Sequence, residues 1–217
     1  MSNFLEIKNS LPQGTELVAV SKYQPNAHVL KLYEAGQRIF GENKVQDLLA
    51  KKEQLPADIQ WHFIGHLQTN KVKQIAPFIH LIQSVDSFKL LQEINRQGEK
   101  CGRCISCLLQ FHVAEEETKF GFEYQEAANM LQSVEFAQLK NVQIDGIMGM
   151  ATNTERKDRI EKDFSQLQTY FQRLKNDYFI KKTHFNRLSM GMSGDYELAL
   201  RYGANMVRLG SLIFSDL

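Results

Sequence analysis

Lys22 is the first residue whose type and place could do chemistry. It ends the apolar run Leu17-Val18-Ala19-Val20 in the segment LVAVSK. A lysine there puts its ammonium at or inside the mouth of a strand layer. Desolvation lowers the pKa of such a group, and a partly neutral amine is what Schiff-base formation with a carbonyl needs. The plainer alternative is a lysine that snorkels to the rim. A second signal lies near the end of the chain, in Ser189-Met-Gly-Met-Ser193-Gly194 and in Leu209-Gly210-Ser211. Small residues let the backbone approach an anion, and free N–H groups with serine hydroxyls then bind phosphate. The competing reading is a helix cap at Ser193 and a tight turn at Gly210. Asp195 and Glu197 follow at once and would repel a phosphate unless they point away. Between these loops stands Arg208, in MVRLG. An arginine within a strand needs an acceptor, either a ligand or a buried carboxylate. Asn43 and Asn70 could donate to ring substituents or could cap helices.

Other reactive side chains point less clearly to a site. Cys101, Cys104 and Cys107 fall at spacings of three, with His112 close behind. One C-x2-C pair invites zinc, but structural zinc uses two separated pairs and there is no second one. Chance or local redox sensitivity is the preferred reading. His62 and His66 are four apart with a strand end between them, so helical H-x3-H geometry is not expected. Glu115, Glu116 and Glu117 could act as acid or base, and a solvated loop is the simpler reading. No P-loop, G-x-G-x-x-G, G-x-S-x-G or H-E-x-x-H occurs.

The elements that must position these residues come from the apolar pattern. Eight short runs read as strands: 17–20, 38–41, 61–64, 81–85, 107–113, 142–147, 185–189 and 206–209. Helical stripes lie between them. Asn26 can cap a helix with Val29, Leu30 and Tyr33 inside, stopping at Gly36. Ser87 opens another with Leu90, Leu91 and Ile94, stopping at Gly98. Ala127, Met130, Leu131 and Val134 mark a third. Ile160, Phe164, Leu167, Phe171 and Leu174 make the clearest stripe. Ser193 opens a last one ending at Gly203, and residues 1–10 form an extra N-terminal helix. This alternation predicts an α/β fold closed into a (β/α)8 barrel, with an open doubly wound sheet as the alternative. In both, ligands bind at the carboxyl ends of the strands, where Lys22, Asn43, Ser193 and Gly210 fall.

Composition bounds the reading further. The chain has 217 residues, a formal net charge of +1, 24% charged and 43% hydrophobic residues. That is globular composition, with no electrostatic case for nucleic acid. No apolar run reaches the length of a membrane span. The N-terminus MSNFLEIKNS lacks the features of a secretory signal. Three cysteines suit a reducing compartment, so a cytoplasmic protein is expected. A barrel typically takes about 250 residues, so one domain over 1–217 is expected, with little left for a second.

Seven segments in order carry a resemblance: AVSKYQP, FGENKVQ, WHFIGHLQTNK, EEETKFGF, DGIMGMA, LSMGMSGDYELA and VRLGSLIF. Together they closely resemble the pyridoxal phosphate homeostasis protein family over essentially the whole chain. The resemblance implies a fold-type III barrel like the N-terminal domain of alanine racemase. It implies that Lys22 holds pyridoxal 5′-phosphate (PLP) as a Schiff base. It implies that Ser193, Gly210 and Ser211 hold the phosphate, with Gly194 adding backbone. It places Arg208 opposite the pyridine nitrogen, Asn43 near the ring, and Met148 and Met192 along the pocket. An arginine there disfavours protonation of the ring nitrogen and weakens the cofactor as an electron sink. Departures are GIMGMAT where many members have threonine and proline, Ser211 where threonine is frequent, the ending IFSDL, and the cysteine cluster.

The function so implied is a PLP carrier that buffers the aldehyde and delivers it to apo PLP-dependent enzymes, without established turnover. An amino-acid racemase is the alternative, and an interaction protein with a vestigial cofactor is a third reading. Racemisation needs a base on each face of the cofactor. In alanine racemase the second base is a tyrosine reached through a second domain and a dimer. Tyr23 adjoins Lys22, but consecutive residues of extended chain point apart. A chain of one barrel is consistent with a monomer.

Overall fold

A computed structural model of the chain describes residues 2–116 and 120–217. Eight parallel strands close in chain order into a barrel: β1 Glu16–Val20, β2 Ile39–Glu42, β3 Gln60–Phe63, β4 Leu81–Val85, β5 Ile105–Phe111, β6 Val142–Gly149, β7 Arg187–Ser189 and β8 Met206–Leu209. The ring closes where β1 pairs with β8, Val18 opposite Arg208. The expected barrel is therefore the fold. Each strand is short and nearly continuous in burial, as strands covered on both faces must be.

Helices α1 Ser2–Ser10, α2 Asn26–Glu34, α3 Val45–Gln54, α4 Val72–Ile75, α5 Phe88–Lys100, α6 Tyr124–Gln132, α7 Val134–Ala137, α8 Lys157–Asp177, α9 Tyr196–Arg201 and α10 Ser211–Phe214 surround the ring. In α8, Phe164, Leu167, Phe171 and Leu174 form the buried stripe, and they join the large core between strands and helices. A separate small cluster of Val18, Leu81, Leu108, Met148 and Met206 fills the barrel interior. The extra N-terminal helix exists: Phe4 of α1 is fully buried, and Asn3 donates to Ser215 Oγ at 3.0 Å. No helix among the described residues is long and apolar enough to cross a membrane.

Several boundaries differ from expectation for local reasons. Asn26 is the first residue of α2 rather than its cap, and its amide donates to Gln54 Oε1 at 2.8 Å. Helix α5 is capped by Ser87, whose hydroxyl accepts from Leu90 N–H, but it does not stop at Gly98. A Cβ on Gly98 would lie 2.7 Å from the Asn141 carbonyl oxygen, so this glycine permits close packing inside the helix. Val134 does not extend the third stripe: Ser133 turns to ψ 150° and caps α7 instead, leaving Val134 exposed. Ser193 does not open α9, because Asp195 occupies that N-cap. Strand β5 begins at Ile105 and ends at Phe111, two residues ahead of the expected run at each end.

Candidate functional site

The carboxyl end of the barrel gathers the sequence-derived candidates. Strand β1 ends at Val20, and Lys22 follows in a turn open to solvent. Its expected withdrawal from water is therefore not met: Lys22 is exposed, and among the described residues no carboxylate lies in ion-pair contact with it. The next residue, Tyr23, has φ +64°, a left-handed conformation that costs a non-glycine residue about 1–2 kcal/mol. It is 74% exposed, with Lys44 Nζ 5.4 Å from its ring centre. The chain thus turns sharply straight after Lys22.

The end of β1 is anchored from beside it. Ser21 N–H donates to Gly41 O at 3.0 Å, and Ser21 Oγ donates to Glu42 Oε1 at 2.7 Å. Lys51 of α3 reaches in, donating to Glu42 Oε1 and to the Ser21 carbonyl, each at 2.5 Å. Glu42 is fully buried, so this cation offsets a desolvated carboxylate. Sequence reading named the neighbouring Asn43 but missed Lys51. The signal was its place one helical turn after Leu48, on the buried side of α3. Glu42 Oε2 and the neighbouring Asn43 Oδ1 are buried without a hydrogen-bond partner. Unsatisfied acceptors of this kind are uncommon in a finished core. Asn43 is further fixed by Gly65, where a Cβ would sit 2.2 Å from the Asn43 carbonyl oxygen.

Across the mouth, the β7 and β8 loops meet. Ser193 Oγ accepts the Gly210 N–H at 3.3 Å, which brings Ser193, Gly194, Gly210 and Ser211 into one neighbourhood. Gly194 has open space where a side chain would stand. Gly191 has φ +94°, and a Cβ there would lie 2.7 Å from Ala199 Cβ, so the loop needs glycine to fold back over α9. Asp195 accepts the Met192 N–H at 2.6 Å and so is turned into its own loop. Met192 is 40% exposed beside it. Met148 differs from expectation: it is 1% exposed and packed in the interior cluster, so it forms a floor rather than an open wall.

Arg208 lies inside the barrel, 4% exposed. Its Nη1 donates to Ser189 Oγ at 2.6 Å and its Nη2 to the Gly149 carbonyl at 2.9 Å. The carboxylate pairing considered from sequence is not found: among the described residues no acid is in ion-pair contact with it. Burial lowers its pKa to about 10, while the nearby Asp195 charge acts the other way. A guanidinium carries five donors, and two are used here, so Arg208 retains capacity for a further acceptor.

The remaining candidates separate. His66 Nδ1 pairs with Asp86 Oδ2 at 2.8 Å at the ends of β3 and β4, and its ring stacks on Phe120 at 3.9 Å. Asn70 is exposed in a short 3-10 turn. His62 is fully buried inside the barrel, far from any arrangement with His66 around one ion. Cys101 and Cys104 are exposed beyond α5, and Cys107 is buried in β5, where burial raises its thiol pKa. His112 contacts the Glu116 carbonyl rather than a cysteine. Among the described residues no three His, Cys, Asp or Glu side chains gather as a metal site. Glu115 pairs with Arg159 at 3.0 Å, and Glu116 accepts the Asn153 N–H at 2.9 Å, so both tie loops together. Glu117 lies outside the described residues.

This geometry has known counterparts. The alanine racemase N-terminal domain family matches residues 1–217. The pyridoxal phosphate homeostasis protein of Schizosaccharomyces pombe is 38% identical over 204 residues, which span 92% of this chain and 83% of that protein. The structure of PipY from Synechococcus elongatus with PLP bound superposes with a TM-score of 0.89 at 33% identity, covering 98% of both chains. An alanine racemase of Clostridium difficile superposes at 0.80 with 15% identity, over 98% of this chain and 58% of the racemase, and it bears on the fold alone. With the whole chain matched by that domain and its relatives at this identity, the protein belongs to the alanine racemase N-terminal domain family and, within it, to the pyridoxal phosphate homeostasis proteins.

Proposed function

We propose that the chain binds PLP at the carboxyl end of its barrel and acts in PLP homeostasis, buffering the aldehyde and delivering it to apo PLP-dependent enzymes. The observation that carries this reading is Arg208, a buried cation with spare donors and no carboxylate in ion-pair contact among the described residues. A ring nitrogen with a lone pair is the acceptor such a group can take without an acid. The buried acceptors Glu42 Oε2 and Asn43 Oδ1 support the same reading. So does the opening at Gly194 beside the Ser193 hydroxyl.

When bound, PLP supplies an electrophilic aldehyde and an aromatic ring that can accept electron density. Lys22, exposed and free of an acid partner among the described residues, would hold that aldehyde covalently and reversibly. Ser193, Gly194, Gly210 and Ser211 would hold the phosphate. Arg208 would keep the ring nitrogen unprotonated, which favours holding the cofactor over turning substrate over. Met192 would line the pocket and Met148 would close it from below. Relatives named for homeostasis, rather than racemisation, support the carrier over the racemase. Tyr23 stands in solvent beneath Lys44, which does not suit a second base opposite Lys22. The unpaired cysteines suit a cytoplasmic setting.

The test is reductive trapping. Borohydride treatment of PLP-loaded protein should fix one pyridoxyl group, mapped to Lys22 by peptide mass analysis. Lys22→Ala should lose that adduct while its melting temperature stays near that of the parent. An equal yield of adduct on Lys22→Ala, or mapping to another lysine, would overturn the assignment.

A further inference from the structure

A line of hydrogen bonds crosses the barrel interior behind Arg208. Arg208 Nη1 reaches Ser189 Oγ at 2.6 Å, Ser189 Oγ reaches Gln83 Oε1 at 2.7 Å, and Gln83 Nε2 reaches His62 Nδ1 at 2.9 Å. Ser189, Gln83 and His62 are all fully buried. They come from β7, β4 and β3, at inward positions of three separate strands.

The atoms that meet along the line give each bond its direction. Arginine can only donate. Ser189 Oγ therefore accepts from Arg208 and spends its own proton on Gln83. The Gln83 atom facing it is the amide oxygen, and the amide nitrogen faces His62 and donates. His62 Nδ1 must then be the unprotonated nitrogen, and the ring proton sits on Nε2. The surroundings agree. Burial, together with the His80 and Arg187 charges, holds the His62 pKa well below its ordinary value, so the ring is neutral. The titratable groups around it are His80, stacked at 5.5 Å and with its own pKa lowered by partial burial, and Arg187, bonded to Glu16 and Asp145. His62 Nε2 is buried without a partner, so the line ends there.

We propose that Ser189 and Gln83 are positioning residues for Arg208: they fix the guanidinium in one plane, and thereby fix which donor meets the pyridine nitrogen of PLP. The proposal rests on the PLP reading above. Ser189 takes one N–H of Arg208, and the Gly149 carbonyl takes another from the opposite nitrogen. With both terminal nitrogens anchored, the planar guanidinium cannot swing about its Cδ–Nε bond. Gln83 keeps Ser189 in its accepting orientation, because its own orientation is locked by neutral His62. Without the serine, Arg208 keeps its charge but loses one of its two anchors.

Two measurements separate this inference from the PLP reading. In ligand-free protein with 15N-labelled histidine, His62 should show a bare Nδ1 and a protonated Nε2. Ser189→Ala should free the Gln83 amide to flip and mix the two tautomers, and Ser189→Thr should restore one. In protein loaded with PLP labelled at the ring nitrogen, Ser189→Ala and Gln83→Leu should move that nitrogen's resonance and the pH profile of the cofactor absorbance. Affinity for PLP should fall by about tenfold, the loss expected for one misplaced charge-assisted hydrogen bond. Borohydride trapping on Lys22 should persist in both. Ser189→Thr should recover the wild-type resonance, which a general packing defect would not. A single Nδ1–H tautomer for His62, or an unmoved ring-nitrogen resonance in Ser189→Ala, would overturn the inference. Failure of wild-type protein to take up PLP would instead overturn the functional reading and leave the tautomer result standing.

Discussion

The two ends of the barrel treat charge in opposite ways. At the amino end, Arg187 lies between Glu16 at 3.0 Å and Asp145 at 2.8 Å, and Gln143 adds a bond to Asp145. Each of these charged groups has its complement within the protein. At the carboxyl end, Arg208 is buried on a hydroxyl and a carbonyl, and Glu42 Oε2 and Asn43 Oδ1 lack partners. Burying polar groups without full compensation opposes folding. One end is therefore built for stability, while the other carries unmet demand that a ligand can meet. The same residue type, arginine on an inward strand position, serves both purposes, and only its neighbours tell the two apart.

Swapping out each arginine tests that contrast most directly. Arg187→Leu leaves the buried Asp145 carboxylate without its cation and should cost about 3 kcal/mol in urea unfolding. PLP uptake by the folded fraction should be unchanged. Arg208→Met removes a desolvated charge along with two hydrogen bonds, and these effects largely offset. Stability should stay within about 2 kcal/mol of the parent, while PLP affinity falls by about tenfold or more. If Arg208→Met unfolds the protein as severely as Arg187→Leu, the division between the ends is wrong.

Acid sharpens the contrast at an intermediate scale. His62 in the unfolded chain titrates near its ordinary value, about 6.5, and in the folded chain well below it. Its contribution is complete above that ordinary value and is lost as pH falls beneath it, because the unfolded chain then binds the extra proton. Stability should drop by up to about 1.4 kcal/mol per pH unit from this group. His80, lowered mainly by partial burial, adds a smaller part in the same direction. Equilibrium unfolding across this range should show a shallower slope in His62→Gln; an identical slope would remove His62 from the account. The smallest effect is expected in the exposed turn between α5 and β5. Replacing Cys101 and Cys104 together by serine should change stability by less than about 0.5 kcal/mol and leave the metal content of the purified protein unchanged.

The fold was largely legible because burial on both faces writes each strand as a short apolar run, and all eight runs hold strands. Boundaries were less legible where one residue had two possible jobs. Gly98 reads as a stop signal, yet it serves close packing against Asn141. Ser193 reads as a cap, yet its hydroxyl accepts from Gly210 across two loops. Arg208 was visible as a strand arginine in need of an acceptor, but its actual partners were not. Ser189 and Gln83 are unremarkable polar residues in sequence, separated by 106 positions, and only barrel closure makes them neighbours. Lys51 was similarly hidden, since its role depends on which side of α3 faces the β1 turn.

The close approach of Gly65 to Asn43 has one more consequence. At Gly65 the loops after β2 and β3 meet backbone to backbone, with no side chain at that contact to absorb displacement. They meet there as a jaw, in which displacing one loop presses on the other. Insertions that enlarge either loop would pry open both and carry Asn43 with them. Elsewhere on the rim side-chain contacts also join the loops, such as Arg159 with Glu115 and Ser193 with Gly210, and contacts of that kind can be re-formed one at a time. A protein engineer seeking to widen this mouth would do better to remodel those loops, and to leave the jaw as the fixed reference against which they close.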